Sequence, residues 1–377
     1  MTSVVIIGAG VAGLTLGNFL QRGGVACTIL EKRSRGYCEQ RQRAGTIDSL
    51  GVRMYREWGL GEVIEGDPIP DAEGGFWIDG QELALDFGDD PGDDAAVFCP
   101  QQVLVRNLTN VFLREGGDLR YECGDVALSG LTTDAPRVTY GHHTLTADFV
   151  AGCDGDRGVS RTAIPPGVLR RYEHEYGYSW LSALAATPTA PSGMAIHERG
   201  LAGLIPRGPR HTRIYLQTAP ADTTRDWPES RIWTELEARF ARPVARGPLL
   251  ESRLIPLRSV VHAPMQYGRL YLLGDAAHIV PPMSAKGIHL ALYDTEVFAR
   301  AVLSGDSASL AAYSDTCLPH IWNYQAFAAW ITETMHNAGD PTYAGEFRKH
   351  LARAELQRQF ASPTAAKLFA ELTAGTN

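Results

Sequence analysis

The N-terminal third of the chain alternates short, unbroken apolar runs with stretches of helical spacing. Val4-Val5-Ile6-Ile7 has no polar position and reads as a strand buried on both faces. Leu14 to Gln21 has helical spacing, and Cys27 to Leu30 is a second buried run. Strand, helix and strand in that order predict parallel neighbours joined by a right-handed crossover. Thr46 to Trp58 and Gln101 to Arg114 read as helices, and Phe149-Val150-Ala151 as a short buried strand entering Gly152. From Gly74 to Phe87, apolar-aromatic runs flank Asp79-Gly80, a pair suited to a hairpin turn.

The period changes in the middle of the chain. Tyr172 to Leu257 is richer in alternation, as in Arg213-Ile214-Tyr215-Leu216-Gln217, and predicts a mostly antiparallel sheet with one helix, Ile232 to Phe240. Leu270 to Leu273 returns to the buried-strand pattern, and from Gly287 onward the chain reads as helix. There is no internal repeat and no low-complexity linker. The expected fold is α/β plus α+β. A Rossmann-like domain comprises 1–70, 96–170 and 260–320; a substrate-binding sheet domain comprises 71–95 and 171–259; a helical region comprises 321–377.

Composition narrows the partners. At 377 residues, 44% apolar and 21% charged, the chain is an ordinary globular one of two or three domains. A net charge of -8 opposes nucleic acid and anionic membranes, so the expected partner is a small molecule. Six scattered cysteines without a C-x-x-C pair read as reduced and structural, which points to the cytoplasm. No apolar stretch reaches the roughly 18 residues a membrane span needs, and no secretory leader pattern precedes Val4.

The chemistry begins at Gly8-Ala9-Gly10-Val11-Ala12-Gly13, between the first strand and the first helix. Such glycines permit a tight turn, close approach of backbone to a pyrophosphate, and close helix-strand packing. Glu31 ends the second strand, 18 residues after Gly13, where a carboxylate can accept from a ribose diol. This motif alone fits FAD and NAD equally. Gly152-Cys153-Asp154-Gly155 and Gly274-Asp275-Ala276 each follow another short strand. Asp275 at a strand end suits sugar or ribityl hydroxyls. Pro281-Pro282 forces an extended turn, and Lys286-Gly287 opens a helix whose positive end suits negative charge.

Together these three segments resemble, in order and spacing, the fingerprints of single-component FAD-dependent aromatic hydroxylases, most closely the 4-hydroxybenzoate type. Arg41-Gln42-Arg43-Ala44-Gly45, Trp233-Thr234-Glu235-Leu236 and Pro256-Leu257-Arg258-Ser259 extend the likeness over nearly the whole chain. The resemblance implies FAD held by Gly8, Gly10, Ala12, Gly13, Glu31, Lys32, Gln101, Asp154, Asp275, Pro282, Gly287 and Ile288. It places Arg43 near flavin and substrate, and Pro282 beside the reacting centre. With no second glycine-rich fold, the nicotinamide cofactor is expected to dock in a surface groove that Arg33, Arg41, Arg157 and Arg258 serve. Lys32, Arg33 and Arg35 suit a 2′-phosphate, which favours NADPH over NADH. The implied reaction uses O2: a flavin hydroperoxide passes its distal oxygen to an electron-rich ring. A homodimer is common in such enzymes.

The chain also departs from that pattern. The arginine and tyrosine that clamp a substrate carboxylate match Arg207 and Tyr215, but the clamp serine is Ile205, and the two phenol-ionising tyrosines fall at Met194 and Thr373. Without those tyrosines a phenol is poorly activated, whereas an arylamine or indole needs no deprotonation. The expected substrate is therefore an aromatic carboxylic acid with an amine or fused nitrogen ring. The competing reading keeps a phenol and gives its deprotonation to His289 or Tyr293. Further alternatives are an oxidative decarboxylase or N-oxygenase of the same class, or a non-catalytic FAD-binding protein. His278 reads as a packing or hydrogen-bonding residue, His142-His143 as a solvated turn, and Trp180, Trp322, Tyr324, Phe327 and Trp330 as core.

Overall fold

The computed structural model describes residues 2–41, 45–65, 75–83, 95–188, 193–207, 209–339 and 341–376. Its helices in chain order are α1 (Val11–Arg22), α2 (Arg35–Gln40), α3 (Ser49–Glu57), α4 (Gln101–Arg114) and α5 (Glu229–Phe240). The C-terminal set is α6 (Gly287–Ser304), α7 (Ser307–Ala311), α8 (Tyr313–Asn337), α9 (Pro341–Ala361) and α10 (Pro363–Ala374).

The first sheet runs, in spatial order, Gln266–Tyr267, Leu270–Leu272, Phe149–Gly152, Ser3–Ile7, Ala26–Leu30 and Asp118–Arg120. All neighbours are parallel except the first pair. The unbroken apolar runs occupy its centre because α1 covers one face there, packed between α4 and α6. Ala26–Leu30 is buried only at its end: Ala26 is exposed where the strand leaves the Gly23-Gly24 turn, and Ile29 and Leu30 are covered.

The second sheet has eight strands in the order His278–Ile279, Leu249–Ala263, Arg170–Ala185, Thr212–Thr218, Gly200–Pro206, Gly193–His197, Gly75–Ile78 and Gln81–Leu83. It is antiparallel apart from the pairing of Gly193–His197 with Gly75–Ile78. Alternation sorts its side chains onto two faces. Leu181, Ala183, Ala202, Ile214 and Leu216 pack under Trp233, Leu236 and Phe240 of α5. Trp180, Ile196 and Leu201 face the other way, into the core shared with the first sheet and the C-terminal helices. The hairpin turn at Asp79-Gly80 is present, both residues having positive φ; the expected run's ends, Gly74 and 84–87, lie outside the described residues.

Two expectations need correction. Thr46 to Trp58 is not one helix: Thr46–Ile47 pairs with Val97–Phe98, and α3 begins only after Asp48, whose side chain accepts the Gly51 N–H at 3.1 Å. An aspartate with a free first-turn N–H to bond caps a helix and ends what precedes it. Trp322 is not core but 43% exposed on the outer side of α8, edge-on to Tyr172 at 5.5 Å. Its indole covers a neighbouring ring at the surface, where helical spacing alone cannot distinguish it from Trp180, which is buried. His142 and His143 are exposed at the turn between Arg137–Tyr140 and His143–Thr146. All six cysteines are free.

Candidate active site

Three separate segments meet at the glycine turn. Gly8 has φ +105°, and a Cβ there would press on the Cys153 carbonyl, so the Asp154 segment lies directly against it. A Cβ on Gly13 would collide with the Gly8 carbonyl oxygen, whereas one on Gly10 would meet no atom within 4 Å. The turn is therefore packed on one side and open on the other. Gly274 sits between α1 and α6, where a Cβ would lie 3.5 Å from that of Ala12 and 3.2 Å from that of Ala291. Gly10 and Lys286, the N-caps of α1 and α6, give those helices no side-chain hydrogen bond, leaving first-turn N–H groups for a ligand.

The carboxylates around this turn are held differently. Glu31 accepts the Ala9 N–H at 2.9 Å and the Arg33 N–H at 2.8 Å, one on each oxygen, with lone pairs remaining on both. Asp154 accepts the Ser160 N–H at 2.9 Å, and burial pushes its carboxyl pKa up; its other oxygen is buried without a partner among the described residues. Asp275 is exposed, with its backbone carbonyl turned to Arg161. Behind it, His278 Nε2 lies 2.6 Å from Asp294 Oδ2, which also accepts the Gly274 N–H at 2.9 Å. The bonding role read for His278 fits this geometry. Its partner Asp294 carries no motif and was not singled out.

A second cluster forms on the core-facing side of the large sheet. Met194 lies opposite Gly203, Gly203 opposite Tyr215, and Ile205 opposite Arg213. Strand alternation thus brings Met194, Ile205 and Tyr215 onto one face, where Tyr215 packs on Trp180 at 4.7 Å. Arg207 follows the end of Gly200–Pro206 and is 9% exposed. Its Nη1 donates to the Pro206 carbonyl at 3.1 Å, and its guanidinium stacks 4.6 Å from the Phe98 ring. The Nε of Arg207 has no partner among the described residues. Burial lowers the Arg207 pKa, opposed mainly by neighbouring Tyr215. Phe98 was missed because its place depends on the short pairing with Thr46–Ile47.

A family described as an FAD binding domain matches residues 1–328. The chain belongs to the FAD-binding aromatic hydroxylase family. It is 31% identical over 369 residues to p-hydroxybenzoate hydroxylase of Acinetobacter baylyi, spanning 94% of this chain and 90% of that one. It is 25% identical to the 3-(3-hydroxy-phenyl)propionate/3-hydroxycinnamic acid hydroxylase of Mycolicibacterium smegmatis, covering 77% of this chain and about half (53%) of that relative. Among solved structures, p-nitrophenol 4-monooxygenase from Pseudomonas putida superposes with TM-score 0.82 at 16% identity over the full length of both chains. Aklavinone-11 hydroxylase, in a complex with FAD and aklavinone, gives TM-score 0.73 at 20% identity, covering 89% of this chain and 69% of that one.

The residues present fit FAD. The open side of Gly10, the uncapped starts of α1 and α6, and the exposed Gly287 with no atom within 4 Å of its Cβ position leave backbone N–H groups and clear space for phosphates and ring. Gln101 begins α4 half-buried, Ile288 is half-buried in the first turn of α6, and Pro282 begins the Pro282–Ser284 turn before it. Lys32 is exposed beyond Glu31, and Arg43 lies outside the described residues.

Lys286, 1% exposed, donates from Nζ to Asp48 Oδ2 and to the Thr373 carbonyl, each at 2.6 Å. So Thr373 meets this site through its backbone; its hydroxyl donates to the Phe369 carbonyl within α10. Burial lowers the Lys286 pKa, and Asp48 opposes that. His289 is buried one turn further along α6. The arginines expected at the nicotinamide groove divide into two sets. Arg33 and Arg41 flank the exposed Tyr37 ring, at 5.2 and 6.0 Å. Arg157 is exposed, while Arg258 pairs with Asp156 at 2.5 Å and Glu173 at 3.3 Å, so its charge is already balanced. Arg35 is likewise engaged, with Glu39 at 2.6 Å.

Proposed function

We propose that this chain is a monooxygenase that hydroxylates an aromatic carboxylic acid, using a reduced nicotinamide and O2, with an arylamine or indole-type ring as the part attacked. Bound FAD supplies the redox chemistry, taking electrons from the nicotinamide and activating O2. The protein's task is to hold the ring in place and exclude water.

The observation that carries this reading is Arg207. A buried guanidinium whose Nε has no partner among the described residues is costly unless an anion completes it. A substrate carboxylate accepting from Arg207, with the Tyr215 hydroxyl beside it, supplies that anion. Phe98 limits where the guanidinium can swing. From this anchor, Met194 and Ile205 present an apolar wall on the same sheet face. Neither side chain can take a phenolic proton. An arylamine or indole donates its nitrogen lone pair into the ring without losing a proton, which suits such a wall.

The test is a substrate panel followed by cofactor oxidation and by product mass. Arylamine or indole carboxylic acids that gain one oxygen and keep their carboxylate support the reading. Products lacking CO2, or oxygenated at nitrogen, reassign the reaction to oxidative decarboxylation or N-oxygenation. Phenols turning over well while arylamines stay inert overturn the substrate choice. Arg207→Ala raises KM by the equivalent of roughly 1.5–3 kcal/mol if the clamp holds; an unchanged KM removes it. NADPH is the favoured donor, since the exposed Lys32 and Arg33 suit a 2′-phosphate. Equal kcat/KM with NADH would set that preference aside.

A further inference from the structure

Behind the start of α6, six side chains from α6, α8 and the cap of α3 make an unbroken file. Lys286 Nζ is 2.6 Å from Asp48 Oδ2, and His289 Nδ1 is 2.9 Å from the same oxygen, close in but off a hydrogen-bonding line. On the far side of the ring, His289 Nε2 is 2.8 Å from His320 Nε2. Tyr293 stacks on His320 at 3.8 Å. Tyr324 packs against both imidazoles, at 4.3 and 4.8 Å, and beneath the Lys286 ammonium at 5.4 Å. Asp48, Lys286 and His289 are buried, whereas His320 and Tyr293 are only half-buried. The file therefore begins at a covered ion pair and ends at solvent.

The chemistry of the links favours one resting proton arrangement. Asp48 is acidic: burial alone would raise its carboxyl, but His289 and Lys286 reverse that and hold it near 2. Beside a carboxylate, His289 keeps its proton on Nδ1 and offers Nε2 as acceptor. His320 must then donate from Nε2, which leaves a lone pair on its Nδ1. Two imidazole nitrogens 2.8 Å apart share one proton, since two facing N–H groups would clash.

We propose that His289 and His320 form a proton conduit between the buried Lys286–Asp48 pair and bulk solvent. It rests on the monooxygenase reading, in which reduced nicotinamide, one proton, O2 and arene give oxidised nicotinamide, water and hydroxyarene. A site sealed from water has to import that proton. His320 Nδ1 takes it from solvent and passes the Nε2 proton to His289 Nε2. His289, with both nitrogens protonated, becomes an imidazolium paired with the Asp48 carboxylate, which stays ionised. One proton enters, no heavy-atom bond changes, and His320 alone is left in its other tautomer. The reverse transfer returns the proton to solvent and restores both rings. His320 is placed here as a positioning and relay residue; it need touch neither substrate nor cofactor.

The test compares the FAD-loaded protein with His320→Ala and His320→Gln. Nitrogen-15 NMR of labelled histidines, without turnover, reports whether the two Nε2 atoms share a proton. The shared signal is expected in the parent and absent in both variants. In turnover, His320→Ala is expected to lower kcat on the order of 100-fold with KM little changed, and to regain rate with added imidazoles in order of their basicity. Full rate in His320→Ala, or a loss that no imidazole restores, overturns the conduit. So does the absence of a shared proton in the parent. If no aromatic acid is oxygenated at all, the monooxygenase reading falls instead, and the NMR result still decides the histidine pair.

Discussion

His278 and Asp294 face each other at 2.6 Å in a part of the molecule where both are almost fully buried, and the same Asp294 oxygen holds the Gly274 N–H. Burial alone would lower the His278 pKa, but neighbouring Asp294 reverses that and raises it. The pair fixes the backbone from which Asp275 projects, which ties a core pair to the Gly274 turn.

Asp294→Asn should therefore cost stability and FAD together. Removing one partner of a buried pair leaves the other charge uncompensated, a loss of about 3–5 kcal/mol. Urea unfolding would measure it, and flavin released on gel filtration would report the turn. Near-parental values in both would mean the pair is not ionic in solution.

The glycine turn separates folding from binding. Gly10→Ala places a methyl in open space with backbone angles any residue adopts, so FAD-free stability should change by under about 1 kcal/mol while FAD affinity falls. Gly13→Ala drives a methyl into the Gly8 carbonyl and should weaken both. Flavin titration beside thermal melts of the apoprotein distinguishes the two variants.

At Arg207, stability and function should oppose each other. Arg207→Met fills similar space without a buried, half-satisfied cation, and should stabilise the substrate-free protein by roughly 1–3 kcal/mol. Binding of aromatic acids, followed by calorimetry, should be lost in the same variant. A destabilised Arg207→Met would show that the guanidinium is already satisfied without substrate.

Acid should act in two windows. Burial, followed by the neighbouring His289, lowers His320 from 6.5 to about 4, so the stability gained by keeping it neutral is complete above 6.5 and is lost as pH falls toward 4. Asp48 is lowered from 3.8 to about 2, so its share is complete above 3.8 and is lost as pH falls toward 2. Unfolding free energy measured from pH 7.5 downward should decline through the upper window in the parent and stay flatter there in His320→Gln. Identical slopes would contradict the lowered His320.

The parallel sheet, its glycine turn, α4 and the alternation of the large sheet could all be read along the chain, because each depends on residues within one turn or one strand of each other. Where reading failed, a local signal was outvoted. Asp48 capped a helix that periodicity began earlier, and Trp322 kept core spacing on an outward face.

The sequence by itself determined the buried parallel strands and the glycine turn that follows the first of them, since strand period and glycine conformation are local properties; that Met194, Ile205 and Tyr215 share a face needed the strand register. Only the tertiary structure decided that Phe98 lies under Arg207, that Asp294 answers His278, and that His289 meets His320. Those pairs join residues far apart in sequence, or on different elements, and packing alone selects them: a buried charge or donor must find a partner wherever the fold brings one within reach.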